Sequence, residues 1–309
     1  MVEKNVHRLL DLFDSVKFEQ KSEIGGQRSE LPEDKEYPNQ PSAMNYEKCH
    51  ESNVIHGQPT TDNMQNKKVC ATFFILGWIA ERLPHLVRDI QSRGHEVASH
   101  GNSHKLCYSC GYDELRQDLS YSKKLLEDII GTQIYGYRAP SFSISHEILK
   151  IIEECGYVYD SSYNSFGLHG RYGNLDLSSF DKNGNAFRIS DTFYELPISN
   201  LQFPFLNSKS KTKNHILPWG GGGYFRLLPF PVYKIGVDDI LSKEGCYLFY
   251  MHPWEIDPQQ PKINLASFFC KFKHYSNLKR TETKLFRLIQ MYLDENFLTC
   301  NEYLALNGL

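Results

Sequence analysis

The sequence lacks long apolar runs, and neither sign of charge dominates it. Of its 309 residues, 40% are hydrophobic and 23% are charged, and 37 acidic against 34 basic residues give a formal net charge of -3. The longest apolar run, residues 69–80, falls short of the ~20 residues that cross a bilayer as a helix. The balanced charge gives no reason to expect nucleic acid or an anionic membrane as the main partner. We therefore expect a globular chain without a transmembrane segment.

Targeting signals and closely spaced cysteines are missing as well. Residues 1–5 are polar and do not begin the apolar region of a signal peptide. The eight cysteines are spread along the chain and do not form the framework of a small disulfide-rich secreted domain. The sequence also contains no internal repeat. These features predict a cytoplasmic protein whose thiols are mostly reduced and packed as small apolar groups.

The chain divides into three segments of different composition. Residues 1–14 carry apolar side chains at helical spacing and predict a short amphipathic helix. Residues 15–67 are rich in Glu, Lys, Gln, Asn, Ser and Pro, show no helical or strand period, and predict an irregular polar insert. Residues 68–309 alternate between strand and helix patterns and end in a C-terminal extension. This alternation predicts an α/β domain with a largely parallel sheet.

The expected elements of that domain have clear local signals. Strands are predicted at residues 69–76, 97–99, 134–137, 157–159, 193–198 and 247–251, and helices at residues 83–93, 113–130 and 145–155. Pro84 stands near the start of the first of these helices, and Gly94, Gly131 and Gly156 follow their ends, as helix chemistry prefers. Ser145 can cap the last helix through its hydroxyl.

Polar side chains follow four of the predicted strands at the point where each strand ends. These are His100, Arg138, Asp160 and His252. In a barrel of parallel strands, the carboxyl ends of the strands carry the active site. His252 is a candidate general acid there; alternatively, it is a histidine satisfied within the core.

Two further patterns could bind a metal. His100 and His104, with three residues between them, can share a metal ion if the chain turns helically after the strand; alternatively, they are a pair of surface loop histidines. Cys107 and Cys110 follow closely and could complete a structural zinc site. We favour incidental thiols here, because no second pair of ligands appears at a typical spacing.

Arg138 and Asp160 each have a functional and a structural interpretation. The arginine can hold a carboxylate in a bidentate pair, or it can form an ordinary salt bridge at the rim of the sheet. The aspartate can orient a histidine, or it can cap the turn that follows its strand.

Residues 219–226 read Trp-Gly-Gly-Gly-Gly-Tyr-Phe-Arg. This segment is not a phosphate loop, because no Gly-Lys-Ser/Thr follows the glycines. Glycines allow the backbone to approach a ligand closely, and the flanking aromatic side chains could stack on sugar rings. The alternative is a flexible linker. The expected substrate-binding residues are Trp219, Gly222, Gly223, Tyr224, Phe225, Arg226 and, beside His252, Trp254.

Taken together, these motifs resemble the polysaccharide deacetylases of carbohydrate esterase family 4, the NodB-homology domain. The resemblance lies in His100-x3-His104, Arg138-Ala-Pro-Ser-Phe, Asp160-Ser-Ser and the strand that ends in His252. More narrowly, ATFFILGW, GHEVASHG, GYRAPSFSI, GGGGYFRLLP and HPWEIDPQQP resemble the deacetylases associated with exosortase and exopolysaccharide loci. The resemblance covers residues 2–14 and 68–294.

This resemblance implies a distorted (β/α)7 barrel that hydrolyses N-acetyl groups on amino sugars of a polysaccharide. It implies a divalent metal, usually zinc, held by an aspartate together with His100 and His104. A second aspartate would act as the base, oriented by Arg138. His252, supported by Asp160, would protonate the leaving amine.

One part of the family pattern is not found in the sequence. The aspartate-rich first motif, which should precede the helix at residues 2–14 and supply the base and the third metal ligand, has no counterpart, and neither Glu96 nor Asp62 replaces it convincingly. We therefore expect a barrel without its first strand and a chain with little or no deacetylase activity. The competing hypotheses are a catalytically impaired glycan-binding protein and a structural zinc module built on Cys107 and Cys110.

Overall fold

A computed structural model describes residues 1–18, 68–166, 172–173, 175–203, 215–262 and 268–309. Contacts divide the chain into one unit of residues 1–16 with 68–309 and a second unit of residues 17–67. The predicted irregular insert at residues 15–67, with its Asp62, lies almost entirely outside the described residues and stays a prediction. Within the described ranges, no helix is both long and apolar enough to span a membrane.

The described elements follow the predicted strand–helix alternation up to residue 160, after which five strands follow one another before the next helix. The helices are α1 (Val2–Asp14), α2 (Gly77–Arg82), α3 (Pro84–Ser92), α4 (Tyr112–Ile130), α5 (His146–Glu154), α6 (Gly222–Leu227), α7 (Phe230–Glu244), α8 (Phe268–Tyr275), α9 (Leu278–Met291) and α10 (Cys300–Leu306). The strands are β1 (Thr72–Ile75), β2 (Glu96–Ser99), β3 (Gly136–Tyr137), β4 (Tyr159–Asp160), β5 (Asp181–Asn183), β6 (Ala186–Arg188), β7 (Tyr194–Glu195), β8 (Leu201–Phe203) and β9 (His215–Leu217).

Seven of these strands form one sheet, in the order β1-β2-β3-β4-β7-β6-β5. The pairs from β1 through β4 to β7 are parallel, whereas β5 and β6 add antiparallel strands. The predicted α/β fold with a largely parallel sheet is confirmed. Among the described strands the sheet is open, with β1 at one end and β5 at the other, so closure into a barrel stays an expectation.

Extended backbone continues the parallel arrangement beyond β7. The amide of Gly220 donates to the carbonyl of Ser199 at 2.7 Å, and the amide of Tyr250 donates to the carbonyl of Gly220 at 2.7 Å. The predicted strand at residues 247–251 is therefore reduced to a single parallel bridge between Gly221 and Tyr250. This bridge brings the residues after Tyr250 to the edge where the other parallel strands end.

The local signals for three helices act as expected. Pro84 occupies the first turn of α3, and Gly131 ends α4 with a φ of 72° that favours glycine. The Ser145 hydroxyl accepts a hydrogen bond from the amide of Ile148 at 3.3 Å and caps α5. The apolar faces of α3, α4 and α5 are buried in the main core, together with Val6 and Leu10 of α1.

Glu96 attaches the C-terminal helix to the amino end of the sheet. Its carboxylate accepts hydrogen bonds from the Thr72 hydroxyl at 2.7 Å, from the Tyr159 hydroxyl at 2.7 Å, and from the amide of Asn301 in α10 at 3.1 Å. Because Glu96 begins β2 and His100 follows its end, the two residues lie at opposite edges of the sheet. Glu96 therefore has a structural role and does not replace a catalytic carboxylate.

Candidate active site

The loop between His100 and His104 is shaped by a carboxylate from α4. Asp118 accepts hydrogen bonds from the amide of Asn102 at 2.7 Å and from the hydroxyl of Ser103 at 2.9 Å. Gly101 has a φ of 74°, and a Cβ there would lie 2.7 Å from an Asp118 oxygen. Asp118 was not singled out from the sequence, since it appears there as one more polar residue on the exposed side of a helix.

The two loop histidines are neutral and lie side by side. Nδ1 of His100 lies 2.6 Å from the carbonyl oxygen of Arg138. Because a carbonyl can only accept, Nδ1 carries the proton and Nε2 keeps a free lone pair. Burial lowers the pKa of His100 to about 3, and burial also lowers the pKa of His104. The ring centroids of the two histidines are 5.1 Å apart.

His252 shares this edge of the sheet with the histidine pair. It follows Tyr250, whose parallel bridge to Gly221 places this segment at the edge where the strands end. Its side chain is 56% exposed, and its ring stacks on Trp254 with centroids 5.6 Å apart. The arrangement offers two neutral imidazoles as ligands and a third, accessible imidazole as a proton donor.

The described residues do not make up a complete zinc site. They contain no group of three or more His, Cys, Asp or Glu side chains that could hold a metal ion, whereas a catalytic zinc normally has three protein ligands. His100 and His104 would supply two. Two ligands alone do not account for a catalytic zinc.

The structural zinc module finds no support among the same residues. Burial raises the pKa of the Cys107 thiol to about 11, and its sulfur lies 3.4 Å from the Tyr137 hydroxyl. Cys110 directs its thiol to the carbonyl of Leu106 at 3.7 Å. Both thiols therefore behave as packed side chains.

The guanidinium of Arg138 lies beneath the site. Its Nε donates to the carbonyl of Ser161 and its Nη2 to the hydroxyl of Ser161, both at 2.7 Å. The group lies 4.1 Å above the ring of Phe74, and burial lowers its pKa. Within the described ranges no carboxylate forms an ion pair with Arg138, so its expected role in orienting a base stays a prediction.

Asp160 forms a buried acid pair with Glu195, a residue that the sequence reasoning missed. The two are register partners on β4 and β7, and both side chains are fully buried. Ser162 donates to Asp160 from its hydroxyl at 2.7 Å and to Glu195 from its amide at 3.1 Å. Burial raises the pKa of Asp160 to about 6. Burial, reinforced by Asp160, raises the pKa of Glu195 well above its usual range.

The expected support of His252 by Asp160 is therefore corrected. The carboxylate beside His252 is that of Glu255, whose Oε1 lies 3.2 Å from Nδ1 of the histidine. Asp160 instead bonds to Ser162 and faces Glu195 within the sheet. The sequence contained a signal for Glu255, because a glutamate three residues after a histidine can reach back to it across one turn.

The large side chains of the glycine-rich segment are mostly buried and do not form a surface that could bind a sugar. Trp219 is 4% exposed, stacks on Tyr233 and donates from its indole nitrogen to the Tyr233 carbonyl at 2.9 Å. Phe225 is fully buried. Arg226 is 4% exposed and pairs with Glu255 at 2.8 Å. The prediction that Trp219, Phe225 and Arg226 bind substrate is wrong, because these side chains face the interior.

The remaining members of the set differ from one another. Gly222 begins α6 at a position where a Cβ would lie 2.4 Å from an oxygen of Glu255. The absence of a side chain at this position therefore leaves room for the carboxylate. A Cβ on Gly223 would meet only the end of Lys273, at 3.9 Å. Tyr224 and Trp254 are partly exposed and stay candidates for contact with a sugar.

Two family models match the chain. Residues 56–159 match the polysaccharide deacetylase family, and residues 161–305 match a domain of unknown function, DUF3473. The chain is 32% identical over 91 residues to the peptidoglycan deacetylase-like protein FGM2 of Gibberella zeae, covering 29% of this chain and 27% of the relative. It is 29% identical to a peptidoglycan-N-acetylglucosamine deacetylase of Bacillus cereus, covering 31% and 45%, and 29% identical to a chitooligosaccharide deacetylase of Sinorhizobium fredii, covering 34% and 49%.

The chain thus spans less than half the length of these three relatives. Among solved structures, a Mycobacterium smegmatis protein provisionally described as a polysaccharide deacetylase is 20% identical, with 74% of this chain and 67% of that chain covered and a TM-score of 0.47. A carbohydrate esterase family 4 pseudoenzyme of Bacillus anthracis is 11% identical, with 98% and 61% covered and a TM-score of 0.43. The family model and the relatives support a polysaccharide deacetylase domain in this chain.

Proposed function

We propose that this chain hydrolyses N-acetyl groups on the amino sugars of a polysaccharide, or of its precursor, in exopolysaccharide synthesis. The proposal is supported by the neighbouring rings of His100 and His104, whose centroids are 5.1 Å apart, and by the bridge from Tyr250 to Gly221, which brings the segment before His252 to the carboxyl edge of the parallel sheet. The names of the relatives add the substrate class, since they include deacetylases of N-acetylglucosamine and of chitooligosaccharides.

The reaction requires a nucleophilic water, a polarised acetyl carbonyl and a proton donor. Water adds to the carbonyl carbon, the carbon–nitrogen bond breaks, acetate leaves, and the amine takes up a proton. His252 is the accessible imidazole at this edge and is the residue we assign to deliver that proton. Tyr224 and Trp254, both partly exposed, would contact the sugar.

A divalent metal, zinc in our proposal, would be bound through His100 and His104. Both imidazoles are held neutral by burial, which is the form that binds metal ions. The hydrogen bond from Nδ1 of His100 to a backbone carbonyl is the arrangement that commonly orients a metal-binding histidine. The described residues group no third His, Cys, Asp or Glu side chain with these two.

A second candidate function is glycan binding without catalysis. Two observations favour it: the described residues contain no third metal ligand, and they place no carboxylate in an ion pair with Arg138. Such a protein would retain the aromatic contacts to a sugar and lose the hydrolytic step.

The two functions separate in one experiment. The 309-residue chain, with zinc added, is tested for acetate release from an N-acetylglucosamine oligomer and for binding of the same oligomer by calorimetry. The deacetylase proposal expects release that His100→Ala and His252→Ala abolish, while His85→Ala, on the exposed face of α3, leaves it unchanged. Binding without release supports the second function, and the absence of both excludes both.

A further inference from the structure

We infer that Glu255 is the positioning residue of His252, holding its imidazole with the proton on Nδ1 and leaving Nε2 for the substrate. This inference rests on the proposed function for its catalytic meaning, but not for its geometry. Oε1 of Glu255 lies 3.0 Å from the backbone nitrogen of His252 and 3.2 Å from Nδ1 of its ring. One carboxylate oxygen thus holds both the backbone and the side chain of the histidine.

The tautomer follows from the charge on the carboxylate. Oε2 of Glu255 accepts a hydrogen bond from Nε of Arg226 at 2.8 Å, and both side chains are almost completely buried. Burial acts to raise the pKa of Glu255, but hydrogen bonds from His252 and the charge of Arg226 outweigh it, so the pKa is lowered. An ionised carboxylate can only accept hydrogen bonds. The ring nitrogen facing it must therefore be the donor.

Contacts hold the pair from three sides. A short 3-10 helix at Pro253–Ile256 fixes the spacing between the histidine and the glutamate. Trp254 stacks on the ring of His252 and on that of His274, with centroids 5.6 Å and 4.1 Å away. Arg226 also donates to the carbonyls of His274 and Ser276, so the cation that anchors Glu255 is itself anchored.

The glycine-rich segment explains how the carboxylate fits. A Cβ on Gly222 would lie 2.4 Å and 2.5 Å from the two oxygens of Glu255, closer than any side chain could approach. Gly222 and Arg226, which the sequence suggested as sugar contacts, thus enclose the carboxylate that orients His252.

The consequence for the reaction is specific. When His252 is doubly protonated, its Nε2 proton goes to the leaving amine and the lone pair returns to Nε2. Nδ1 keeps its own proton, which stays hydrogen-bonded to Glu255. The carboxylate stabilises the imidazolium without taking the proton itself. This is the role that the family resemblance assigns to Asp160, which in this chain is buried against Glu195.

The test is the tautomer of His252 in the full chain, measured by 1H–15N correlation of the imidazole nitrogens at mildly alkaline pH and assigned with His252→Gln. The Nδ1-protonated form should predominate in the unaltered chain. In Glu255→Gln the ratio should shift about tenfold or more towards the Nε2-protonated form, because a hydrogen bond to a charged group is lost. Asp160→Asn should leave the ratio unchanged.

A second pair of variants keeps the test decisive if Glu255→Gln does not fold. Gly222→Ala keeps the Glu255 and Arg226 side chains in the sequence but displaces the carboxylate, so it should also shift the tautomer ratio. Gly223→Ala is its matched control and should not. An unchanged ratio in Gly222→Ala, or a shift in Asp160→Asn equal to that in Glu255→Gln, overturns the inference.

Measurements of acetate release separate the failure of this inference from the failure of the proposed deacetylase function. If the chain is a deacetylase, Gly222→Ala should lower kcat and leave KM nearly unchanged, since proton delivery is impaired and sugar binding is not. If neither the unaltered chain nor any variant releases acetate, the proposed function fails. The tautomer ratio then still decides the role of Glu255.

Discussion

Asp160 and Glu195 face each other on neighbouring parallel strands, with no exposed surface on either side chain. Two carboxyl groups in such a place cannot both ionise at low cost, because burial and their mutual repulsion favour the protonated forms. The pair therefore retains protons that the unfolded chain releases. It forms part of the sheet beneath the site and makes the stability of the fold sensitive to pH.

The first prediction concerns this sensitivity. Burial raises the folded pKa of Asp160 to about 6 and that of Glu195 well above its usual range, so their stabilising contribution is complete below the unfolded values and is lost as pH rises through the folded ones. Between about pH 4 and pH 8 the free energy of unfolding should fall by up to ~1.4 kcal/mol per pH unit for each retained proton.

Glu195→Gln should reduce that fall, since glutamine donates a hydrogen bond without ionising. Urea unfolding of the unaltered chain and of the Glu195→Gln variant between about pH 4 and pH 8 measures the fall in unfolding free energy. The difference between the two proteins is the relevant quantity, because His95 and His100, whose pKa values are lowered to about 4 and about 3, change the stability of both equally. Parallel pH profiles would contradict the assignment.

The second prediction concerns the loop that carries the two histidines. Removing the Asp118 side chain leaves the amides of Asn102 and Ser103 without their partner, and we expect a loss of roughly 1–3 kcal/mol in unfolding free energy together with weaker zinc binding. Asp113→Ala is the control, since this residue lies on the same helix and its side chain is 97% exposed. Equal effects of the two variants would remove the special role of Asp118.

The third prediction concerns the metal. Two imidazoles alone should bind zinc more weakly than a site with three protein ligands, and both His100→Ala and His104→Ala should remove the binding measured by calorimetry. Cys110→Ser should leave it unchanged. If the serine variant alone abolished zinc binding, the structural zinc hypothesis would replace the two-histidine site.

The fourth prediction concerns the C-terminal helix. Glu96→Ala should destabilise the protein by roughly 2 kcal/mol or more, because a buried carboxylate with three hydrogen-bond partners is removed, and α10 should become sensitive to limited proteolysis. Glu114→Ala, on a side chain that is 53% exposed, should have no such effect. Protection of α10 in the Glu96 variant would show that apolar contacts alone retain the helix.

Several features could be read from the sequence alone because neighbouring residues decide them. The starts and ends of α3, α4 and α5 depend on Pro84, Gly131 and Ser145, whose backbone preferences and capping bonds act within one turn. The placement of His100, Arg138 and His252 at one edge follows from strand–helix alternation, since parallel strands all end on the same side.

Other features depended on contacts between residues far apart in the chain. The aromatic and basic side chains of residues 219–226 have the same composition whether they face a sugar or the core. Only the stacking of Trp219 on Tyr233 and the ion pair of Arg226 with Glu255 place these two side chains inside. The partner of Asp160 is likewise set by strand order, which joins β4 to β7 across 35 residues.

The sequence therefore determined the class of fold and the limits of α3, α4 and α5, and it offered His100, His104 and His252 as site candidates, because these follow from local chemistry and from the direction of parallel strands. The tertiary structure alone decided which carboxylate lies beside His252 and which carboxylate is buried against a second acid. Glu255 rather than Asp160 orients His252, since a buried acid takes its role from the charges and hydrogen bonds that the whole fold brings to it.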